Sequence, residues 1–437
     1  MASRGDTPYF EVSATDRAMA LVGERSSATP YLVLELSGEL DRTALTGAME
    51  LLAVRHPILG CTVDARASRA RWQPDTTAPE LSWRDTLDHD EPDLDVRRGP
   101  TCRAVHEAGP CGHRLRFGIH HAVGDATGLL ALADDLRRLY CILRRGDTPL
   151  VDVDWSPRNV GALLDAHRVG WVDRVALAWE VQRRWNALQP STHAAARGAP
   201  SPGARPSRFP ARAMSAGALE AALAWGRDRG WRANHVLLAA LARGWRDAFG
   251  DESSTRSASS WLVSVDCRRA LGVTRGIGNL SGFEPVSLRD IETRGEAESV
   301  DDVRASFAPL RRVGAGMVGE LGGPLLDFVP PRLLEQTMET AFDLRARVSR
   351  CTRIYSGVEL PAVLGDWEDV HATTAYCEGS PRMAPPFIAI VVTRFRDDLA
   401  CTPVAAPEVL SAAEADALVA ATGAQLAALA ADAGVPG

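Results

Sequence analysis

The stretch "FGIHHAVGDATGLLALADDLRRLY", Phe117 to Tyr140, changes periodicity within a few residues. In the overlapping "HRLRFGI", Leu115, Phe117 and Ile119 alternate onto one face, the signature of a half-buried strand. From about Asp125 onward, Leu129, Leu132, Leu136, Leu139 and Leu143 recur at spacings of three and four, which predicts a helix with a single core-facing stripe. The paired histidines His120 and His121 fall in the connection. A loop pinned between a buried strand and a buried helix is a rigid mount. A general base needs one, because its imidazole must come within about 3 Å of the proton it takes. Taken alone, the doublet also fits a chance pairing, with Asp125 merely capping the helix.

Composition narrows the chemistry. The chain has 437 residues and a net charge of -7, enough for a large core and more than one folding unit. Its 49 basic residues are all arginine, which excludes a Schiff-base lysine, a pyridoxal-phosphate lysine and the lysine of a P-loop. The eight cysteines show no C-x-x-C spacing or cysteine–histidine cluster, so they are expected to be reduced thiols and no metal is expected. "MASRGDTPYFEV" lacks the apolar core of a signal peptide, and no apolar run approaches the roughly 18 residues of a membrane span. A soluble, cytoplasmic protein without a membrane span is expected. The mildly acidic balance without a basic tail argues against nucleic acid.

The clearest break is "ARGAPSPGARPSRFPARA", Ala196 to Ala213, with four prolines, two glycines and no periodic pattern. It divides the chain into an N-terminal unit, residues 1–190, a linker, residues 191–213, and a C-terminal unit, residues 214–437. "YLVLEL" (31–36) and "SSWLVSVD" (259–266) read as strands. "DRTALTGAMELLAVRHP" (41–57), "AGALEAALAWGRDRG" (216–230) and "ANHVLLAALARGWRDAF" (233–249) read as helices. "PPFIAIVVTRFRDDLACTPV" (385–404) reads as a hairpin turning at Asp397 and Asp398. Both halves mix strands and helices. "GAGMVG" (314–319) fits G-x-G-x-x-G but follows a helical stretch, so it is a false match to a dinucleotide loop. His56 ends a helix before a proline and reads as a capping or packing residue, and Trp171, Trp179 and Trp185 read as core or groove packing.

"HHAVGDATG" resembles the HHxxxDG signature of the condensation-domain and acyltransferase superfamily, and further stretches resemble that family in the right order. These are "SATDRAMAL" (13–21), "LLAVRHPILG" (51–60), "RANHVLLAALARGWR" (232–246) and "VSVDCRRALGVTRGIGNLSGFEPV" (263–286). The resemblance spans roughly residues 12 to 405. One position departs from the signature: the glycine after the aspartate is Ala126 here, with glycine returning at Gly128.

The resemblance implies a mixed α/β fold of two chloramphenicol-acetyltransferase-like subdomains forming a V, with a tunnel between them. It implies that His121 is the general base, that His120 packs and sets the loop, and that Asp125 is structural, paired with Arg268 of "VDCRR". Asp266 and Gly128 are expected to support the site. Pairing with Arg268 and capping the helix are competing jobs for Asp125. Asn279 and Ser281 in "GNLSG" are candidate donors to an oxyanion or substrate, or else part of a plain glycine turn between strands.

The function implied is transfer of an acyl group from a phosphopantetheine thioester to a hydroxyl or amine, within natural-product or lipid biosynthesis. No cofactor would be bound permanently. Acyl-CoA or an acyl or peptidyl carrier protein would be co-substrate, and both present the same thiol. The competing readings are a carrier-protein docking platform without catalysis and a site repurposed for cyclisation. Degenerate platforms in the family typically lose the second histidine, which is present here as His121.

Overall fold

The computed structural model describes residues 10–24, 26–67, 70–75, 78–86, 93–109, 112–156, 207–250, 258–268, 275–289, 293–307, 353–380 and 388–432, with scattered single positions between them. In chain order the elements are β1 (Phe10–Glu11), α1 (Ala14–Gly23), β2 (Tyr31–Leu36), α2 (Arg42–Arg55), β3 (Cys61–Thr62), β4 (Arg71–Pro74), β5 (Glu80–Arg84), β6 (Cys102–Gly109), β7 (Gly112–Ile119) and α3 (Ala126–Arg144). Then come β8 (Ser207–Arg208), β9 (Arg212–Met214), α4 (Ala216–Trp225), α5 (Ala233–Phe249), β10 (Ala258–Asp266), β11 (Ser281–Arg289) and α6 (Glu296–Phe307). The chain ends with β12 (Arg353–Leu360), β13 (Asp366–Trp367), β14 (Val370–Glu378), β15 (Ile388–Phe395), β16 (Asp398–Ala405) and α7 (Ala412–Asp432).

Two large mixed sheets carry the fold. The first has the order β13-β14-β2-β7-β6-β5, the second β11-β10-β12-β15-β16-β8 with β9 also on β16, and a small third sheet is β1-β4-β3. Alternation works as the sequence indicates: Leu32, Leu34, Leu115, Phe117 and Ile119 face one core with Leu45 and Leu52 of α2 and Leu129, Leu132 and Leu136 of α3. A second core joins Trp261, Tyr355 and Ile390 to Leu241 and Trp245 of α5 and Leu418 and Leu426 of α7. At roughly 1.5–3 kcal/mol for each large apolar side chain buried, the two cores hold each sheet to its helices.

The sheets do not divide the chain at one point. β14 pairs antiparallel with β2, from Glu378↔Tyr31 to Ala372↔Leu36, so a late segment completes the first sheet. Arg144–Asp369 and Arg145–Glu368 ion pairs, each 3.0 Å, tie the end of α3 to the β13–β14 turn, where Glu368 has φ 63°. Residues 207–208 and 212–214, read from the sequence as the end of a linker, are short strands on β16. Pro210 between them interrupts what would otherwise be one strand. The late hairpin turns one residue earlier than expected: Phe395 pairs with Asp398, leaving Arg396 (φ 53°) and Asp397 as the turn.

The six described cysteines, Cys61, Cys102, Cys141, Cys267, Cys377 and Cys401, are buried free thiols. Trp179, expected to pack, is 74% exposed, on a helical stretch whose described neighbours Val172 and Val175 are exposed too. Trp171, Trp185, "GAGMVG" and residues 191–206 lie outside the described residues. Among the described residues no helix is long and apolar enough to cross a membrane.

Candidate active site

β7 runs into the core and ends at Ile119, delivering His120 and His121 onto the loop before α3. The two histidines have opposite surroundings. His120 is 1% exposed, and its Nδ1 accepts the Ala122 N–H at 3.1 Å, so its proton belongs on Nε2. Burial first, and the charge of His121 second, push its pKa down to about 3, opposed only by Asp95. His120 is thus buried and held neutral. The His121 backbone is clamped on both sides, its N–H donating to Ala28 O at 2.6 Å and its carbonyl accepting Asn279 Nδ2 at 2.9 Å, while its side chain is only half-buried.

Asp125 caps α3 and pairs with Arg268 at the same time. Its Oδ1 accepts the Gly128 N–H at 2.8 Å and Arg268 Nη2 at 2.9 Å. Its Oδ2 accepts Arg268 Nη1 at 2.9 Å, the Leu280 N–H at 2.9 Å and Ser281 Oγ at 2.8 Å. The two jobs that the sequence set against each other are compatible because a carboxylate offers about four acceptor positions in two directions. Burial alone would raise the Asp125 pKa. The Arg268 charge and these hydrogen bonds outweigh it and hold the group below the ordinary carboxylate range. Arg268 in turn donates to Asp266 Oδ1 at 3.0 Å and to Gly276 O at 2.8 Å, and Thr127 Oγ1 donates to Asp266 Oδ2 at 3.2 Å.

The side-chain donors of Asn279 and Ser281, the candidate oxyanion or substrate donors, are bonded within the protein. Asn279 is buried, and its NH2 group donates to Asp16 Oδ1 at 3.0 Å and to His121 O. The Ser281 hydroxyl is spent on Asp125. These bonds tie the 279–281 segment to the histidine loop and to α1. Asp16, on α1, also accepts Trp72 Nε1 at 3.2 Å, and burial raises its pKa against the lowering effect of Arg158 and its hydrogen bonds.

Arg158 and Asp16 are the residues that sequence reasoning missed. Arg158 is buried, and donates from Nη2 to Val123 O at 2.9 Å and from Nη1 to Ile277 O at 3.2 Å, joining the histidine loop to the 276–281 segment. Gly278 makes this approach possible. With φ +155° it accepts the Asp125 N–H, and a Cβ on it would lie 2.2 Å from Arg158 O. His56 lies elsewhere, buried at the end of α2 with Nε2 2.8 Å from Asp135 Oδ2, a packing role as expected.

An open cavity of about 1160 Å³ lies between the first turns of α3 and the second sheet with α5. Ala126, Thr127 and Leu130 form its first-half wall, and Asp266, Gly276 and Ser281 bring it against the Asp125–Arg268 cluster. His121, five residues before Ala126, is not part of this lining. Among the described residues no group of three or more His, Cys, Asp or Glu side chains is placed to hold a metal ion.

No protein-family model matches the sequence. A probable non-canonical nonribosomal peptide synthetase of Salinispora arenicola is 30% identical over 151 residues, which are 32% of this chain and 2% of that protein. The match thus spans a small fraction of that relative's length. The first condensation domain of the CDA synthetase superposes with a TM-score of 0.69 at 16% identity, covering 98% of each chain. Polyketide synthase associated protein 5 of Mycobacterium tuberculosis superposes with a TM-score of 0.68 at 14% identity, covering 97% of this chain and 100% of that one. A mutant starter condensation domain of rhizomide synthetase, in complex with C8-CoA and Leu-SNAC, superposes at 0.67 and 14% identity, covering 100% and 98%. At these identities the likeness to the solved structures is one of fold.

Proposed function

We propose that this chain, which has the mixed α/β fold of condensation domains, is an acyltransferase that moves an acyl group from a phosphopantetheine thioester to a hydroxyl or amine, with His121 as general base. One observation carries the reading. Among the paired histidines of a loop clamped by Asp125–Arg268, Asn279 and Arg158, one imidazole is buried and neutral while the other remains half-buried. Such an arrangement suits a base that must hold its position and still be reached.

In the proposed step the acceptor O–H or N–H gives its proton to His121 as its oxygen or nitrogen attacks the thioester carbonyl. The tetrahedral intermediate then expels the thiolate, the C–S bond breaks, and the proton returns from His121 to sulfur. Negative charge gathers meanwhile on the former carbonyl oxygen. With the side-chain donors of Asn279 and Ser281 engaged within the protein, backbone groups are the proposed donors. Ala126 and Thr127 line the cavity at the positive end of α3, where first-turn N–H groups have no acceptor within the helix. Alanine in place of the signature's glycine keeps such a donor.

The donor is acyl-CoA or an acylated carrier protein, and the two units, 1–190 and 214–437, are proposed to act as one docked pair in the cytoplasm. The complex of the rhizomide relative with C8-CoA and Leu-SNAC supports a thioester donor. The test is mass spectrometry of the purified protein incubated with acyl-CoAs, acylated carriers and panels of alcohols and amines. His121→Ala is expected to lower transfer by roughly 10² to 10⁴-fold with the fold intact. Turnover close to the unmutated rate would overturn the assignment.

A further inference from the structure

The 276–281 segment grips the histidine loop largely through its backbone. The Gly276 carbonyl accepts Arg268 Nη2, the Ile277 carbonyl accepts Arg158 Nη1 and the Gly278 carbonyl accepts the Asp125 N–H. Asn279 Nδ2 donates to His121 O, and the Leu280 N–H and Ser281 Oγ donate to Asp125. Gly276 and Gly278 carry the largest conformational freedom, so a stretch built on them keeps its register only when both ends are fixed. At Ser281 the segment enters β11, paired with Asp266 of β10. At its other end stands Arg275.

Arg275 Nη2 donates to Asp135 Oδ1 at 2.5 Å and to Ala131 O at 2.9 Å, both on α3. Asp135 is buried, and its second oxygen is braced from α2: Oδ2 accepts Arg55 Nε at 3.0 Å and lies 2.8 Å from His56 Nε2. Arg55 also donates to Asp152 O at 2.9 Å, and its carbonyl accepts the Asp154 N–H at 2.8 Å, which fixes the stretch leading to Arg158. The second half is therefore fastened to α3 at two places, Arg268 on Asp125 and Arg275 on Asp135. At the helical rise these lie about 15 Å apart along the axis. The two fastenings differ in what they protect. Without Arg268 a buried carboxylate loses its only printed cation, whereas without Arg275 the Asp135 carboxylate keeps Arg55 and His56. Arg275 is itself 34% exposed in its side chain, so its loss falls on the segment it anchors more than on the fold.

We propose that Arg275, held by Asp135, is a positioning residue for His121: it anchors the end of the 276–281 segment away from β11 and so keeps Gly278 and Asn279 in register on the histidine loop. This deepens, and rests on, the acyl-transfer reading of the site.

Hydrogen exchange of the full chain, read by mass spectrometry, tests the anchor without reference to activity. In Arg275→Ala the peptides covering 120–128 and 276–283 should exchange about tenfold faster, the equivalent of one hydrogen bond, with β15 unchanged. The kcat for acyl transfer should fall by a similar factor with KM within about twofold, because the base is displaced while ground-state binding is kept. Arg275→Lys, which returns a donor to Asp135, should recover most of both losses. Should Arg275→Ala fail to fold, Asp135→Asn weakens the same pair without changing its shape and is read in the same way. Exchange unchanged in the two peptides, or accelerated equally in β15 as for a merely structural ion pair, overturns the proposal. So does faster exchange with kcat within about twofold of the unmutated rate. Looser peptides in a protein whose unmutated form transfers no acyl group reject the reaction and keep the anchor. His121-dependent transfer with unaltered peptides does the reverse.

Discussion

Asp125 accepts five hydrogen bonds while buried, two of them from the Arg268 fork. Removing the arginine would leave a carboxylate in a desolvated site with only neutral donors. Arg268→Ala should therefore cost about 3–5 kcal/mol of stability as well as activity. Asp125→Asn in the same background should recover part of the loss, because the amide carries no charge to desolvate. A urea-denaturation cycle over the four proteins measures the coupling. Strict additivity would mean that the two side chains do not interact in solution. At the same scale the partners of Asn279, 263 and 158 positions away, could not be read from the sequence, which offers only an amide group in a glycine-flanked segment.

The element that carries the site is the strand–loop–helix unit β7–α3, and its stability depends on a segment of the other half. Gly278 brings the 276–281 backbone against Arg158 and accepts the Asp125 N–H. Gly278→Ala would force a methyl group into the Arg158 carbonyl at a backbone angle that side chains rarely adopt. Its expected cost is about 2–4 kcal/mol with a matching loss of acyl transfer, read from thermal unfolding and single-turnover rates. Gly128→Ala, whose Cβ would lie 3.4 Å from its nearest neighbours, should cost clearly less. Equal effects at the two glycines would argue against a special role for Gly278. β7 and α3 were legible in the sequence because both signals are local, a period of two and then one of 3.6. Arg158 was not, because it binds backbone carbonyls and sits in no patterned stretch. The place of β14 in the first sheet was equally hidden: alternation can suggest a strand, but Glu378 meets Tyr31 across most of the chain.

At the scale of the whole molecule, buried histidines tie stability to pH. Beside His120, His106 is 1% exposed, packed on Trp83 at 4.4 Å between ring centroids, and burial followed by the charge of His113 lowers its pKa from 6.5 to about 4. Both imidazoles are held neutral in the folded chain, whereas in the unfolded chain they take up protons near their ordinary value. The unfolded state therefore binds more protons below about pH 6.5, and stability falls as pH drops through that value toward the folded values of about 4 and about 3. Each histidine contributes a slope of up to about 1.4 kcal/mol per pH unit in that window. Asp125, whose pKa is lowered, adds a further loss only in the more acidic range where unfolded carboxylates protonate. Asp16, whose pKa is raised, acts in the opposite direction, because its folded form keeps a proton that the unfolded form has released. The midpoint of urea unfolding should fall steadily from pH 7 to pH 5, and His106→Gln should reduce that slope by about half. A midpoint flat across this range would mean that His106 and His120 are charged, or reached by water, in the folded protein.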